Sequence, residues 1–274
     1  MTLNVMTTMI DINYQQENNE YHIRKMVCDS NNLINKLYYQ QINNITVIRD
    51  DKLCGGTKSR FVKYIIEEYS NYNKFVYRSP PYGGAQIALS WGINEYNKIN
   101  KTNKEAIIFI DPDVHPNIND FEYPFVRIAK EFGAIYYDGS SKEIKNYLEN
   151  NPDTMILPSG MDLPIVNKKI IKLANLISDI FGEFDEFYYA CGSGTLVRAI
   201  QKSKLANKYY AICVTGGIPN NIGNAIGYKH DQLFDDIVRE ENKPPFNSAI
   251  HYDAKAWKYV PKNENKRIIF WNVM

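Results

Sequence analysis

The sequence predicts an α/β fold with mostly parallel, twisted sheets. Short apolar or β-branched runs alternate along the chain with longer segments of helical periodicity. Strands separated by helices form parallel βαβ units, with helices on both faces of the sheet. Glycine-rich turns follow several of these runs. Because ligands bind at the carboxyl ends of the strands in such sheets, these turns are where we expect a functional site.

The individual elements follow from the apolar pattern in chain order. The pattern predicts strands at residues 45–48, 75–77, 106–110, 134–137, 155–157, 187–190, 210–214 and 268–271. It predicts helices at residues 58–69, 85–96, 124–132 and 170–181, and another from residue 196 onwards. In the first helix, apolar side chains recur at i and i+4, which is the spacing of one buried helix face.

Composition and charge exclude several classes of protein. A chain of 274 residues suits one large domain or two modest ones, and 44% hydrophobic residues are too many for a disordered protein. No apolar stretch approaches the roughly 20 residues of a membrane helix, and the start of the chain lacks the pattern of a secretory signal. A net charge of +1 argues against broad binding of duplex nucleic acid.

The cysteines and histidines give no sign of a metal site. The four cysteines are far apart and form no CxxC pair, and the four histidines are equally scattered. We therefore expect neither a disulfide framework nor a bound metal. A reducing cytoplasm is the expected location.

The first candidate for chemistry is Lys58, in the run Arg-Asp-Asp-Lys-Leu-Cys-Gly-Gly-Thr-Lys-Ser-Arg at residues 49–60. The lysine follows a Gly-Gly turn at the start of a predicted helix. The helix dipole and an apolar setting lower the pKa of an amine there, which suits Schiff-base chemistry. The alternative is an ordinary solvated lysine at a helix start.

Two further motifs carry candidate residues. Gly192, Ser193, Gly194 and Thr195 lie between a predicted strand and a helix, where small residues let backbone N–H groups approach a phosphate. The motif matches neither a Walker loop nor a dinucleotide fingerprint. Near the end of the sequence, residues 252–253 pair a tyrosine with an acid, which provides a phenol for proton transfer and a carboxylate for a nitrogen partner.

Taken together and in this order, the motifs resemble those of the fold-type II, tryptophan-synthase-β-like pyridoxal-phosphate enzymes. The sequence is most similar to the 1-aminocyclopropane-1-carboxylate deaminase and D-cysteine desulfhydrase family, whose R-D-D-x-x-x-G-G-N-K run holds the cofactor. The similarity extends over about residues 33–272. Besides the motifs above, it includes residues 130–134, 157–160 and the closing Lys-Arg-Ile-Ile-Phe-Trp strand at residues 266–271.

The resemblance implies an architecture and a reaction. The fold would comprise two three-layer αβα lobes with a cofactor cleft between them. Residues 1–60 plus 151–274 would form the larger, cofactor-binding domain, and residues 61–150 the smaller, substrate-side domain. The chain would be a pyridoxal-phosphate-dependent lyase or deaminase that acts on an amino acid or a related amine, as a homodimer.

The resemblance also implies a role for each matching residue. Lys58 would form the Schiff base with pyridoxal 5'-phosphate and later carry a proton. The run Gly192, Ser193, Gly194 and Thr195 would hold the cofactor phosphate. Asp253 would lie by the pyridine nitrogen and strengthen the ring as an electron sink. Tyr252 would be the catalytic phenol near the substrate.

The sequence departs from the family where the substrate should bind. The family's Ser-Asn-His or Ser-Asn-Gln loop corresponds here to residues 79–86, and the asparagine that would face the ring is absent. The expected substrate-binding residues in this loop are Ser79, Tyr82, Gly83, Gly84 and Gln86. Thr57 replaces an asparagine of the family, the phosphate loop is one residue shorter than common forms, and the family's His-Thr-Gly-Gly segment after the closing strand is missing.

These departures leave two alternatives open. The first is a divergent pyridoxal-phosphate enzyme, from a phage or mobile element, that modifies an aminoacyl- or nucleotide-linked substrate. The second is a cofactor-free binding protein on the same scaffold. Retention of Lys58, Tyr252 and Asp253 argues against the second, because a binding protein needs neither the amine nor the acid.

Overall fold

Strands and helices alternate along the chain in a computed structural model that describes residues 33–110, 123–262 and 265–274, with the backbone of residues 16–17 and 20–21. The strands are β1 (Gln16–Glu17), β2 (Glu20–Tyr21), β3 (Tyr39–Ile42), β4 (Ile45–Arg49), β5 (Lys74–Arg78), β6 (Glu105–Ile110), β7 (Ile135–Asp138), β8 (Thr154–Ile156), β9 (Phe184–Cys191), β10 (Ala206–Cys213), β11 (Ile226–Lys229) and β12 (Ile268–Asn272). The α-helices are α1 (Ser59–Glu68), α2 (Ala85–Asn100), α3 (Pro124–Glu131), α4 (Ser141–Asn150), α5 (Pro164–Phe181), α6 (Thr195–Ile200) and α7 (Asp253–Ala256).

The longer strands form a large sheet and a small one. The large sheet has the order β11-β10-β9-β12-β4-β3, and its neighbouring strands are parallel except for the edge pair β3 and β4. The small sheet has the order β7-β6-β5-β8 and is parallel throughout. Strands β1 and β2 pair only with each other, antiparallel. The predicted α/β fold with mostly parallel sheets is confirmed.

Each sheet is the middle layer of three, because its strands bury side chains on both faces. On β12, Trp271 packs in the main core with α1, α5 and α6, whereas its neighbour Phe270 packs on the opposite face with the segment around α7. On β5, Tyr77 joins the main core, whereas Val76 packs towards Tyr147 of α4. This alternation is the period-2 pattern of a strand that is covered on both sides.

Strand β8 belongs to the small sheet, because residues 154–156 pair in parallel with residues 74–76 of β5. The expected boundary at residue 150 precedes this strand, so the small sheet continues to Ile156. Helix α1, which we expected in the smaller domain, packs against both α2 and α5, so it contacts a helix from each side of the expected boundary at residue 150. The division of the chain into two domains remains a prediction.

Two properties of the described residues bear on the setting of the protein. None of their helices has both the length and the apolar character that a membrane crossing requires. Cys54, Cys191 and Cys213 are buried thiols. The turn at residues 111–113, which the sequence places after the third predicted strand, lies outside the described part of the chain.

Candidate functional site

The carboxyl ends of strands from both sheets meet around a cavity of about 370 Å³. The small sheet contributes the turn after β5, and the large sheet contributes the turns after β9 and β10. This is the position expected for a site in parallel α/β sheets. The cavity is lined by most of the predicted site residues, namely Lys58, Ser79, Tyr82, Gly83, Gly84, Gly192, Ser193 and Tyr252.

A smaller pocket of about 50 Å³ adjoins this cavity at the turn after β9. It shares Lys58, Gly192, Ser193 and Tyr252 with the cavity. It also brings in the remaining residues of the predicted phosphate loop, Gly194 and Thr195. The lysine and the loop, which are more than 130 positions apart in the sequence, therefore lie at one site.

The turn that leads to Lys58 depends on Gly55. Its φ of +81° lies in the left-handed region, and a Cβ atom at this position would lie 2.3 Å from the backbone nitrogen of Ala88 in α2. Only glycine combines that conformation with so close an approach. The turn ends at Lys58, and α1 begins at the next residue, so the lysine sits at the start of a helix as predicted.

Asp50 holds this turn in place from beneath. Its buried carboxylate accepts hydrogen bonds from Arg60, at 2.5 Å from Nη2 and 3.1 Å from Nε, and from the Thr57 hydroxyl at 2.7 Å. Trp271 of β12 donates to the same carboxylate from its indole. Since Thr57 and Arg60 flank Lys58 in the sequence, the network fixes the backbone on both sides of the lysine.

The amine of Lys58 makes no hydrogen bond or ion pair with the residues that the structure describes, and it faces both cavities. Burial lowers its pKa, and the nearby carboxylate of Asp253 partly offsets that effect. An amine with a lowered pKa is more often neutral near pH 7, and the neutral form is the nucleophile. The environment predicted for Lys58 is therefore present.

Asp253 is fully buried and lies behind the cavity wall rather than on it. Its Oδ2 accepts a hydrogen bond of 2.9 Å from the backbone N–H of Met274, and Val273 and Met274 form the wall in front of it. Its Oδ1 has no hydrogen-bond partner among the described residues. Burial raises the pKa of this carboxyl well above its ordinary value, and the amine of Lys58 opposes that shift.

Tyr252 immediately precedes α7, and its hydroxyl reaches the turn after β9. A Cβ atom placed on Gly192 would lie 3.0 Å from that hydroxyl oxygen, so glycine leaves the space that the phenol uses. Burial raises the pKa of Tyr252 well above the ordinary value for a tyrosine. The phenol therefore stays protonated at neutral pH and can donate a proton or a hydrogen bond.

The loop at residues 192–195 packs closely against Gly160. With its φ of +70°, Gly160 directs its Cα at the loop, and a Cβ atom there would lie 2.0 Å from the Ser193 hydroxyl and 2.6 Å from that of Thr195. The two hydroxyls are 3.0 Å apart. Arg198 donates to the Ser193 carbonyl at 3.0 Å and pairs with Asp162, which holds the loop from its outer side.

Part of the loop at residues 79–86, which we predicted to bind substrate, lines the cavity. Ser79, Tyr82, Gly83 and Gly84 line the cavity. The N–H of Gly83 donates to the Pro80 carbonyl at 2.9 Å, so it is not free to bind an anionic group of a substrate. Gly84 immediately precedes α2, where the first N–H groups have no acceptor within the helix.

Gln86 is not brought to the cavity. It is fully buried, its amide nitrogen donates to the Pro81 carbonyl at 2.8 Å, and its amide oxygen accepts from the Tyr136 hydroxyl at 2.6 Å. Both the nitrogen and the oxygen of the Gln86 amide therefore form hydrogen bonds within the region of the small sheet. Gln86 holds the proline turn in shape, and the expectation that it contacts substrate does not agree with this placement.

Several lining residues were absent from the sequence-based candidates, among them Tyr77, Thr215, Phe234, Val273 and Met274. Thr215 could have been found, because it follows β10 and precedes Gly216 and Gly217, the same strand-then-glycine pattern as the loop after β9. Tyr77 gave no such signal. Its hydroxyl accepts a hydrogen bond of 3.3 Å from the backbone N–H of Gly160, which follows the neighbouring strand β8, and sequence spacing does not reveal this contact.

Comparison with known proteins establishes the fold. No protein-family model and no curated protein matches the sequence. An ACC deaminase homologue of known structure superposes with a TM-score of 0.60 and 14% identity, over 84% of this chain and 83% of that one. Maize serine racemase gives 0.53 and 12% identity, over 84% of this chain and 83% of its own.

A third solved structure, a pyridoxal 5'-phosphate-dependent aspartate racemase, gives a TM-score of 0.51 at 14% identity, over 88% of this chain and 75% of that one. Identities this low relate these proteins to the present chain by fold alone. The chain therefore has the fold of the fold-type II pyridoxal-phosphate enzymes, as the sequence resemblance implied.

Proposed function

We propose that this protein is a pyridoxal-phosphate-dependent enzyme that removes the Cα proton of an amino acid or a related amine, followed by elimination or deamination. The observation that carries the proposal is the Lys58 amine. It lacks a partner among the described residues, its pKa is lowered by burial, and it faces a cavity that also contains Tyr252 and the loop after β9.

The residues present suit the cofactor in chemistry and in shape. Lys58 supplies an amine with a lowered pKa for a bond to the cofactor, and the buried Asp253 carboxyl lies close enough to influence that amine. The turn after β9 and the facing Gly160 form a cradle that side chains would fill, since a Cβ atom on either Gly160 or Gly192 would meet a hydroxyl within 3.0 Å. Glycine at these two positions leaves room for the hydroxyls of Ser193, Thr195 and Tyr252, and these residues border the small pocket beside Lys58.

In the proposed site, each residue has a separate task. Lys58 holds the cofactor through its amine, and the residues Gly192, Ser193, Gly194 and Thr195 hold the phosphate. Asp253 supplies the buried carboxylate that interacts with Lys58, and it anchors residues 273–274 in the cavity wall. Ser79, Tyr82 and Gly84 face the space left for substrate.

Lys58 and Tyr252, whose pKa values are both shifted by burial, carry out the proton transfers. Bound pyridoxal phosphate supplies an electron sink for negative charge at the substrate α-carbon. Lys58, whose lowered pKa favours the neutral amine, accepts the Cα proton. Tyr252, whose raised pKa keeps the phenol protonated, donates a proton to the departing group or to the α-carbon.

An absorbance titration tests the proposal. The purified protein should acquire the visible band of lysine-bound pyridoxal phosphate when the cofactor is added, and D- and L-amino acids should shift that band. Lys58→Ala should abolish the band. Lys63→Ala, which removes an exposed lysine of the same helix, should leave it unchanged. A wild-type protein that stays colourless contradicts the proposal and favours the cofactor-free binding protein.

One observation favours a substrate larger than a free amino acid. A second cavity of about 430 Å³ shares Tyr82, Ala249 and Met274 with the first, so these residues lie between the two spaces. A substrate with an extended substituent, such as an aminoacyl- or nucleotide-linked amine, would use this space. The shift of the same visible absorbance band tests this idea. If free amino acids shift the band as strongly as longer amides do, the second cavity does not bind part of the substrate.

We further propose a reducing, cytoplasmic setting and a homodimer. Three buried thiols suit a compartment in which cysteines stay reduced. Sedimentation equilibrium of the purified chain measures the assembly directly, and a mass near 31.8 kDa in solution would exclude the dimer.

A further inference from the structure

Tyr189 carries a buried hydroxyl without an oxygen or nitrogen hydrogen-bond partner in the part of the chain that the structure describes. The residue lies in β9, just ahead of the Gly192 turn, and only 2% of its surface is exposed. Its ring packs against Phe187, with the ring centroids 5.5 Å apart. Among the described residues, its hydroxyl oxygen has no oxygen or nitrogen partner, and it interacts only with the thiol of Cys191, a weak acceptor. Leaving a buried hydroxyl without a strong acceptor costs about 1–3 kcal/mol, so an acceptor atom of a bound ligand would be stabilised here.

This side chain borders the pocket of about 50 Å³ next to Lys58. The remaining side-chain polar groups of that pocket are the hydroxyls of Thr57, Ser193, Thr195 and Tyr252 and the amine of Lys58, and its other walls include apolar side chains such as Phe61 and Val166. The nearby thiol of Cys191 is a weak acceptor and does not replace an oxygen partner. Burial raises the pKa of Tyr189, so its phenol stays protonated and acts as a donor.

The volume of the small pocket limits which chemical groups can bind beside the Tyr189 hydroxyl. About 50 Å³ accommodates a group of a few atoms but not an aromatic ring, whereas the adjoining cavity of about 370 Å³ has room for the ring and a substrate. Lys58 borders both spaces. A ring held by Lys58 would have room only in the larger space, which leaves the smaller one for an anionic substituent.

We propose that the Tyr189 hydroxyl donates a hydrogen bond to the phosphate group of the cofactor, and that it thereby makes the site selective for pyridoxal phosphate over unphosphorylated pyridoxal. The inference rests on the proposed function. It adds the Tyr189 hydroxyl to the hydroxyls of Ser193 and Thr195, which use one of their two protons in the bond between them.

The test compares two neighbouring tyrosines of β9 in the full chain. Tyr189→Phe removes the hydroxyl without an oxygen or nitrogen partner. Tyr188→Phe removes one on the opposite face of the sheet that donates to Glu186 at 2.8 Å. Dissociation constants for pyridoxal phosphate and for pyridoxal are measured by absorbance titration. Tyr189→Leu is a second variant without the hydroxyl, and thermal unfolding without ligand reports whether each variant folds.

The decisive quantity is the dissociation constant for pyridoxal divided by the dissociation constant for pyridoxal phosphate. It should fall roughly 10- to 100-fold in Tyr189→Phe and stay within about twofold of wild type in Tyr188→Phe. Without ligand, Tyr189→Phe should melt close to wild type, because the hydroxyl that it loses interacts only with the weakly accepting thiol of Cys191 among the described residues. An unchanged ratio in both Tyr189 variants overturns the inference and leaves the proposed function standing. A wild-type protein that binds no pyridoxal phosphate overturns the proposed function as well.

Discussion

The indole Nε1 of Trp271 donates a hydrogen bond of 3.0 Å to the buried carboxylate of Asp50. These residues are 221 positions apart, and the bond joins strand β12 to the turn that presents Lys58. Because Asp50 also pairs with Arg60 where neither side chain is exposed, the contact is part of a buried charged network. The geometry of the site therefore depends on a strand near the other end of the sequence.

This network predicts a large cost for removing its carboxylate. Asp50→Ala leaves the Arg60 guanidinium buried without its counter-charge, so the free energy of unfolding should fall by about 3–5 kcal/mol. Glu67→Ala removes an exposed partner of Lys63 and should cost less than about 1 kcal/mol. Urea denaturation measures both. Equal effects of the two substitutions would show that the Asp50 network does not stabilise the fold.

The turn before Lys58 predicts a second sensitive position. Gly55→Ala forces an L-residue to a φ of +81° and places a methyl group 2.3 Å from the Ala88 backbone nitrogen, so we expect a loss of more than about 2 kcal/mol. Gly217→Ala is the matched control, because a Cβ atom there meets nothing within 4 Å. If both alanine variants unfold at the same urea concentration, the turn is more adaptable than the structure indicates.

The raised pKa of Asp253 predicts how stability depends on pH. Between the ordinary carboxyl pKa of 3.8 and the raised value, the folded protein binds more protons at this group than the unfolded chain does. This contribution to stability therefore falls as the pH rises. Asp253→Asn lacks the titration, so its stability relative to wild type should increase between pH 5 and pH 8. Chemical denaturation at both pH values measures the difference. A difference that does not change with pH contradicts a raised pKa.

The position of Tyr252 predicts a separation of binding from turnover. Tyr252→Phe keeps the ring that borders the cavity but removes the protonated phenol, so cofactor uptake should persist while turnover of an amino-acid substrate falls roughly 10²- to 10⁴-fold. Tyr259→Phe, outside both site cavities, should retain activity. Steady-state kinetics measure the turnover of the two variants. A fully active Tyr252→Phe would show that the phenol takes no part in catalysis.

The fold and the Lys58 turn could be predicted because their signals are local. Apolar periodicity marks β4 and α1, and the Gly-Gly pair before Lys58 marks the turn between them. Helix α4 was missed because none of its residues is fully buried. Its start did carry a signal: the Ser140 hydroxyl accepts from the Glu143 N–H, and Ser-x-x-Glu is a capping pattern.

Contacts between distant residues determine two placements that the sequence did not predict. The sequence pattern places Gln86 beside the substrate loop, but α2 is buried around its first turns, and the side chain turns inward to Tyr136. Asp253 lies behind residues 273–274 because their N–H groups need an acceptor there. Neither packing arrangement leaves a trace in local spacing.

The central claim is that Lys58 holds the cofactor, and the most direct measurement locates the bond. Wild-type protein is incubated with pyridoxal phosphate, reduced with borohydride, digested with trypsin and analysed by mass spectrometry. We predict that the cofactor is found on the peptide spanning residues 53–60, which contains Lys58 as its single lysine. Labelling of other lysines with residues 53–60 unmodified, or no labelling at all, would contradict the assignment.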